Sequence, residues 1–143
     1  LDAINDPGNL GTIIRLCDWF GISDLVCSET TVDCYNSKVI QSSMGSHTRV
    51  NITYANLETV LPQSKVCYGT FMDGVSIYDQ KLANKGVIVL GNEANGVSKE
   101  IEALMDSRIS IPRFGGLKQT ESLNVANAAA IILSEFKRNP TEK

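Results

Sequence analysis

The sequence predicts an α/β fold in which a parallel sheet is flanked by helices. Strand-like and helix-like segments alternate along the chain, which is the pattern of βαβ units. The strand predicted at 86–90 is apolar at every position after its glycine, and such strands are buried on both faces of a sheet. With 43% hydrophobic residues among 143, the chain can bury one core of domain size. The order of the strands does not follow from this pattern.

Turn and cap residues place the first elements. Residues 1–5 are typical of the end of a strand, and we expect that strand to begin before this sequence does. A helix is predicted over 10–20, after a Pro7-Gly8 turn and with Asn9 as its N-cap, and Gly21 suits the position just past its end. Its buried face is predicted from apolar residues at helical spacing: Leu10, Ile13, Ile14 and Cys17.

The remaining elements continue the alternation. Further strands are predicted at 24–28, 49–54, 65–71, 86–90 and 108–111. Further helices are predicted at 36–43, 56–61, 99–105 and 124–138, and Pro62 is expected to end the second of these. Because no linker, repeat or low-complexity tract interrupts the pattern, residues 1–143 are predicted to form one domain.

Composition argues against several classes of protein. No apolar run approaches the roughly 18 residues that a membrane-spanning helix needs. The sequence does not start with a basic and then apolar leader, so we expect a cytoplasmic protein. The cysteines form no CxxC pair and His47 is the only histidine, so we expect reduced, mostly buried thiols and no metal site. These cysteines are Cys17, Cys27, Cys34 and Cys67.

The net charge of −3 is not typical of a protein that binds nucleic acid. One segment differs from the rest, because residues 108–118 contain Arg108, Arg113 and Lys118 and no acidic residue. This segment could contact a phosphate backbone, and an ordinary solvated loop is the alternative.

Three segments contain residues suited to chemistry. The first is Asn9-Leu-Gly-Thr-Ile-Ile-Arg15, at the start of a predicted helix. Asn9 can swing its side chain across the end of the helix, and Gly11 allows another backbone or a ligand to approach closely. A capped helix with one exposed arginine explains the segment equally well.

The second segment, Leu90-Gly-Asn-Glu-Ala-Asn-Gly-Val-Ser98, follows the apolar strand. Ligands of parallel α/β sheets bind beyond the carboxyl ends of the strands, and Gly91 and Gly96 would let the backbone wrap around one. The segment lacks the Lys-Ser/Thr of a P-loop and the GxGxxG pattern of a dinucleotide site. Glu93 is costly to bury without a partner. An Asn- and Gly-rich turn is the alternative.

The third segment joins Ile109-Ser-Ile-Pro-Arg113 to Thr120-Glu-Ser-Leu-Asn124, at the start of the last helix. Either Ser122 or Asn124 can cap that helix, whose free amides would receive a polar or anionic ligand. A capped helix of the core is the alternative.

Taken in order, these segments resemble the signature of the SpoU (TrmH-like) RNA ribose methyltransferases of the SPOUT superfamily. The matching residues are Asn9–Arg15, Val89-Leu-Gly-Asn-Glu-Ala-Asn-Gly96, Ile111-Pro112 and Ser122-Leu-Asn-Val125. Ser42-Ser-Met-Gly45 also resembles the family's pattern, and the resemblance spans residues 2–136. Each motif is weak alone, and their order and spacing make the match specific.

The resemblance implies a deep trefoil knot at the carboxyl end of the domain, a homodimer and S-adenosylmethionine as cofactor. The family holds its cofactor largely by main-chain groups, which here belong to Gly91, Ile111 and Leu123. The residues that the resemblance places around the pocket are Leu90, Gly96, Pro112, Ser122 and Asn124. The implied reaction moves a methyl group to a ribose 2′-hydroxyl of tRNA or rRNA and requires no metal. Many relatives carry an amino-terminal RNA-binding domain, which we expect to lie outside this sequence.

The resemblance also implies roles for four catalytic residues. Arg15 would activate the hydroxyl electrostatically and position the RNA phosphate, and Asn9 would orient Arg15 or the substrate. Glu93 would pair with a basic residue or shape the site, and Asn124 would fix the pocket and the neighbouring arginine.

Two other hypotheses remain at this point. The first is a knotted RNA-binding protein that has lost catalysis. The second is an unrelated α/β enzyme that binds the phosphate of a nucleotide with Gly91–Gly96, although the expected lysine and Ser/Thr are missing.

Overall fold

The computed structural model describes residues 1–117 and 121–138, which form an α/β fold with parallel sheets flanked by helices. The strands are β1 (Asp24–Ser28), β2 (Asn51–Ala55), β3 (Cys67–Ser76), β4 (Val87–Val89) and β5 (Ser107–Ser110). The helices are α1 (Pro7–Trp19), α2 (Ser37–Ser43), α3 (Leu57–Val60), α4 (Lys99–Glu102) and α5 (Val125–Arg138). Short 3₁₀ helices cover Ser46–Thr48 and Leu61–Gln63. The predicted α/β class, with parallel strands flanked by helices, is confirmed.

All the strand pairs are parallel, and the first two residues join two groups of strands. β1 pairs with β2, and β4, β3 and β5 lie side by side in that order. The Leu1 carbonyl accepts a hydrogen bond from the Ser28 amide at 2.9 Å, and the Asp2 amide donates to the Leu90 carbonyl at 2.9 Å. Residues 1–2 therefore occupy the place of a strand between β1 and β4, in line with the strand end predicted there.

Apolar helix faces cover these strands. α1 packs against α2 and α5, and it buries the predicted face of Leu10, Ile13, Ile14 and Cys17. A second apolar cluster lies under α3 and α4, where Leu57, Ile101 and Val89 meet. All four cysteines are buried and free, as expected. The described residues include no helix that is long and apolar enough to span a membrane.

The start of α1 differs from the prediction. The helix begins at Pro7, and its N-cap is Asp6, whose carboxylate accepts a hydrogen bond from the Asn9 amide at 2.9 Å. Proline suits the first helical position because its missing N–H would have no partner there. The prediction of Asn9 as the N-cap was therefore wrong, and its side chain is available for other contacts. Gly21 follows the helix as predicted, with a φ of +68°.

Several other bounds shift for local reasons. The strand at 24–28 matches at every residue, but β3 continues to Ser76 because its register with β5 shifts between Thr70 and Val75. The predicted helix at 99–105 ends at Glu102, and the residues after it form i→i+3 turns instead. Pro62 lies inside a 3₁₀ helix that continues α3.

Candidate active site

The carboxyl ends of β4 and β5 bring the second and third segments to one edge of the sheet. Both strands run parallel to β3 and flank it, so that Leu90–Gly91 and Ile111–Pro112 leave the sheet on the same side. This is the edge at which parallel α/β sheets bind ligands. Leu90 is buried, whereas Ile111 and Pro112 are half-buried.

Glu93 connects the second segment to the residues before α1. Its carboxylate accepts hydrogen bonds from the main-chain amides of Asn5 at 3.2 Å and Asp6 at 3.0 Å. The Asn9 side chain donates to it at 3.3 Å. Burial raises the pKa of Glu93, but these hydrogen bonds favour the charged form and leave its pKa below the ordinary value. Glu93 is therefore ionised and anchors the residues before α1. The family resemblance implied that it would either pair with a basic residue or shape the site, and the partners observed here are amides.

Asn9 and Asn124 extend this connection to the third segment. The Asn124 side-chain amide donates to the Asn9 side-chain oxygen, Oδ1, at 2.9 Å. The other end of the Asn124 side chain accepts from the Ala126 and Asn127 amides at 2.9 and 3.2 Å, so that Asn124 caps α5. Ser122 is exposed, and of the two predicted caps Asn124 is the one that the structure selects. The chain Glu93–Asn9–Asn124 thus joins all three segments.

The loop between Gly91 and Gly96 is closed by Asn92. Main-chain hydrogen bonds join Asn92 and Gly96 in both directions, and the Asn92 side chain accepts from the Ala94 and Asn95 amides. A Cβ at Gly91 would lie 2.2 Å from the Gly96 carbonyl carbon, and Gly96 has a φ of +69°. Both glycines are therefore required by the loop itself. Since the amides of residues 94–96 are already occupied, the phosphate-binding alternative is not supported.

The main-chain groups along the sheet edge fit the ligand pocket that the family resemblance implies, in which the ligand is held largely by main-chain groups. Within residues 1–117 and 121–138, no hydrogen bond engages the main-chain groups of Gly91, Ile111 or Leu123. Gly91 is buried, and a buried polar group without a partner is rare in a folded protein. These donors and acceptors are free to hold a polar ligand at this edge.

Arg15 lies apart from the Glu93–Asn9–Asn124 chain. Its side chain is exposed on α1, and it forms no hydrogen bond or ion pair with any residue that the structure describes. The expected contacts of Asn9 and Asn124 with Arg15 are absent from this set, because both asparagines bind each other instead.

Gly11 and the Ser42–Gly45 motif have a structural role. A Cβ at Gly11 would lie 1.7 Å from the Ser42 hydroxyl, which donates to the Lys38 carbonyl at 2.8 Å and to the Pro7 carbonyl at 3.3 Å. The close approach permitted by Gly11 is thus used by α2 rather than by a ligand.

The basic segment is partly neutralised. Arg108 forms ion pairs with Asp73 and Glu102, and its guanidinium lies 3.8 Å from the centroid of the Phe71 ring. Arg113 donates to the Glu121 carbonyl at 2.5 Å, and Lys118 lies outside the described residues. Arg108 therefore binds the part of β3 in which the register shifts, between Thr70 and Val75. In the part of the chain that the structure describes, no three His, Cys, Asp or Glu side chains are placed to bind a metal ion.

Sequence reasoning missed the partners of Glu93 and the role of Asn92. The Asn92 side chain donates to the Ala3 carbonyl at 2.6 Å, where Ala3 has a left-handed φ of +55°. Main-chain amides such as those of Asn5 and Asp6 leave no signal in a sequence. Asn92 could have been found, because it opens the Asn- and Gly-rich segment Asn92-Glu-Ala-Asn-Gly96, and asparagine side chains often accept from the amide two residues on to form an Asx turn.

Comparison with known families and proteins agrees with this arrangement. The family described as "SpoU rRNA Methylase family" matches residues 1–134. The 23S rRNA (guanosine(2553)-2′-O)-methyltransferase RlmP of Bacillus subtilis is 35% identical over 142 residues, which are 96% of this chain and 56% of that protein. This chain therefore spans a little over half the length of such curated relatives.

Solved structures show the same similarity. A Porphyromonas gingivalis protein described as a member of the TrmH family of RNA methyltransferases is 42% identical, with a TM-score of 0.89, covering 96% of this chain and 57% of that one. The AdoMet-bound rRNA methyltransferase of Sinorhizobium meliloti is 31% identical, with a TM-score of 0.88, covering 99% of this chain and 56% of that one.

Proposed function

The chain belongs to the SpoU rRNA methylase family, and from this premise we propose that it transfers a methyl group from S-adenosylmethionine to a ribose 2′-hydroxyl of ribosomal or transfer RNA. The observation that carries the proposal is the hydrogen-bonded chain Glu93–Asn9–Asn124, which brings the three motif segments to one sheet edge. The named activity of the Bacillus subtilis relative and the AdoMet in the Sinorhizobium meliloti structure support it.

The residues at the sheet edge fit S-adenosylmethionine. The main-chain groups of Gly91, Ile111 and Leu123, which bind no other residue that the structure describes, would hold it. The residues that would line the pocket are Leu90, Gly96, Pro112, Ser122 and Asn124. When bound, the cofactor supplies an electrophilic methyl group on a positively charged sulfur. Asn124 would keep the start of α5 in place beside it through its cap and its bond to Asn9.

Arg15 would act on the RNA. A ribose hydroxyl is a poor nucleophile at neutral pH and needs a base or a positive field near it. A guanidinium stays protonated, so Arg15 would bind the adjacent phosphate and stabilise negative charge that develops on the 2′-oxygen. Glu93 and Asn9 would position the segment that begins α1, and alignment of this kind is the main demand of an in-line transfer.

We further propose the architecture that accompanies this activity in the family. Residues 1–143 would form one methyltransferase domain with a deep trefoil knot at its carboxyl end, supported by the similarity to solved SpoU structures. A homodimer would cover apolar side chains that are more than four-fifths exposed, namely Trp19, Phe114 and Leu117. We place the protein in the cytoplasm, with its RNA substrate. A light-scattering mass equal to one chain would contradict the dimer.

Calorimetric titration and methyl transfer from labelled cofactor test the proposed function. The purified chain should bind S-adenosylmethionine but neither ATP nor NAD, and it should label unmodified ribosomal or transfer RNA. Arg15→Ala should lower transfer at least about 100-fold while leaving cofactor affinity within about two-fold, because Arg15 acts on substrate alone. Arg15→Lys serves as the matched control and should retain part of the activity. A folded chain that does not bind the cofactor would contradict the function, and transfer by Arg15→Ala at the parent's rate would contradict the role of Arg15.

A further inference from the structure

A second concave site lies at the free edge of β2, away from the Glu93–Asn9–Asn124 chain. Its volume is about 390 Å³, within the range of roughly 300–1,000 Å³ for small-molecule sites. The cavity shares no residue with the candidate active site. One wall is formed by alternate residues along β2 and just before it, namely Val50, Ile52 and Tyr54. Two loops form the rest of the wall, with residues 33–35 from one loop and 47–48 from the other.

The aromatic rings around this cavity are held in place from behind. The His47 ring binds the Cys34 carbonyl through Nε2 at 3.0 Å, and its centroid lies 5.2 Å from that of Tyr35. The Tyr54 hydroxyl donates to the Val32 carbonyl, and burial raises the pKa of Tyr54, which keeps this hydroxyl protonated. The rings therefore form a preorganised surface rather than a mobile one.

Tyr35 is 72% exposed, although its backbone is fixed. Its amide donates to the Asp33 carboxylate at 2.9 Å, and the next residue, Asn36, caps α2. An exposed tyrosine on a rigid turn, paired with a histidine, offers a flat face at little cost in conformational entropy. Unstacked nucleobases of RNA bind such faces, since every base presents a π-surface.

The charges at the cavity favour a base over a phosphate. Asp33 contributes a carboxylate, and the nearby Arg49 is already paired with Asp18 at 2.8 Å. One carboxylate oxygen of Asp33 accepts from Tyr35, which leaves the other able to accept from a ligand. Guanine presents two adjacent N–H donors on its Watson–Crick edge, a pattern that a carboxylate matches.

The loop that forms part of the cavity is linked to the candidate active site by main-chain hydrogen bonds. The loop that supplies Asp33 and Tyr35 leaves the carboxyl end of β1, which is the sheet edge of the candidate active site. The Val32 amide donates to the Ile4 carbonyl at 2.9 Å, and the following residue, Asn5, donates to Glu93. These bonds connect the loop to the Glu93–Asn9–Asn124 chain through Ile4 and Asn5.

We propose that the cavity between Tyr35, His47 and Asp33 binds an unstacked guanine base of the RNA substrate. The base stacks on the exposed face of Tyr35, whose ring is tilted 55° from that of His47, and its N–H edge donates to the Asp33 carboxylate. This inference rests on the proposed function for its ligand class. It does not depend on catalysis, because it concerns residues outside the methyl-transfer site.

The single histidine of the chain provides a direct test by proton NMR, because the imidazole signals belong to His47 alone. Titration with guanosine monophosphate at constant pH should shift these signals saturably, and uridine monophosphate should require at least several-fold more ligand. Tyr35→Ala should weaken guanosine monophosphate binding by about ten-fold or more, whereas Tyr35→Phe should preserve it. Asp33→Asn should remove most of the preference for guanine.

Two further arms separate this proposal from its alternatives. Ribose 5-phosphate should leave the His47 signals unchanged, and an equal shift with it would show an anion site and overturn the guanine assignment. Signals that do not move with millimolar guanosine monophosphate would also overturn it. Cofactor titration of the same samples reports on the proposed function separately, since Tyr35→Ala should bind S-adenosylmethionine as the parent does.

Discussion

Asn9 requires both ends of its carboxamide, since its NH₂ group donates to Glu93 and its oxygen accepts from Asn124. An aspartate could serve only as an acceptor, and a serine would be too short to reach both partners. The structure thus gives a reason for the residue type as well as for its position. The contact between three segments that are far apart in sequence thus depends on the Asn9 side chain. Its two hydrogen-bond partners, Glu93 and Asn124, are the residues whose replacement tests this contact most directly.

Replacement of Glu93 tests the anchor. Glu93→Gln keeps the size of the side chain, and its oxygen can take the place of Oε1, which accepts from Asn5, Asp6 and Asn9. Its NH₂ group then replaces Oε2, which accepts from the Asn5 amide and the Asn92 side chain. We expect the free energy of unfolding to fall by about 1–2 kcal/mol, since the charge is lost and the two donors at Oε2 then face an N–H group. Urea unfolding measures this. Glu100→Gln, an exposed change in α4, is the control and should have almost no effect.

The same anchor predicts a pH dependence of stability. Hydrogen bonds hold the pKa of Glu93 below its ordinary value in the folded protein. A carboxyl with a lowered folded pKa stabilises the fold above the unfolded value of about 4.3, and this contribution is lost as the pH falls through the folded pKa. The stability difference between the parent and Glu93→Gln should therefore shrink as the pH is lowered from 6 to 3. A difference that stays constant over this range would contradict the anchor.

At the scale of the elements, the close contact of α1 with α2 depends on Gly11, which has no side chain. A Cβ at Gly11 would lie 1.7 Å from the Ser42 hydroxyl and 2.7 Å from the Val39 carbonyl oxygen. Alanine is favoured over glycine in a helix by about 1 kcal/mol, but the clash with backbone of α2 outweighs this. We expect Gly11→Ala to destabilise the protein by about 2 kcal/mol or more, as judged by thermal and urea unfolding.

Gly8→Ala, in the first turn of the same helix, is the matched control. The nearest atom to its Cβ would be the end of the Asp6 side chain, at 3.1 Å, so that little backbone needs to move. Its effect should stay within about 0.5 kcal/mol. If both substitutions changed stability equally, close packing of α1 on α2 would not be the reason for Gly11.

The order of the elements could be predicted from the sequence because each has a local signal. The apolar run of β4 and the helical spacing of Leu10, Ile13 and Ile14 are examples. The pairing of β3 with both β4 and β5, and the place of residues 1–2 between two groups of strands, depend on contacts distant in sequence. The long β3 was underestimated for the same reason, since its last residues pair only after a register shift.

The candidate site was predictable as a set of segments but not as a set of contacts. The motifs containing Asn9, Glu93 and Asn124 could be recognised, and the structure brings these three residues together. Their partners could not be assigned, because Glu93 binds main-chain amides that any residue type would supply. The cap of α1 was misassigned because Asp6 and Asn9 are both favourable N-cap residues, and only the position of Pro7 distinguishes them.

At the scale of the whole molecule, residues 1–2 hold the strands together. Leu1 hydrogen-bonds to β1 and the Asp2 amide to the residue after β4, so that β2, β1, residues 1–2, β4, β3 and β5 lie in succession. The Asp2 side chain is buried and accepts a hydrogen bond from the Ser98 amide at 2.7 Å. This bond fixes the loop after Gly96 to the same connection, and thereby ties the candidate site to the centre of the fold.

Asp2→Ala should therefore weaken both groups of strands together. The half-buried Ser98 amide would lose its acceptor, which costs about 1–2 kcal/mol of unfolding free energy. Asp2→Asn keeps an acceptor oxygen of the same length and should recover at least half of this loss. Amide hydrogen exchange should show lower protection in β1 and in β4 alike, because residues 1–2 contact both. Loss of protection in only one of the two strands would mean that they open independently, and that the connection through Asp2 does not make the fold one cooperative unit.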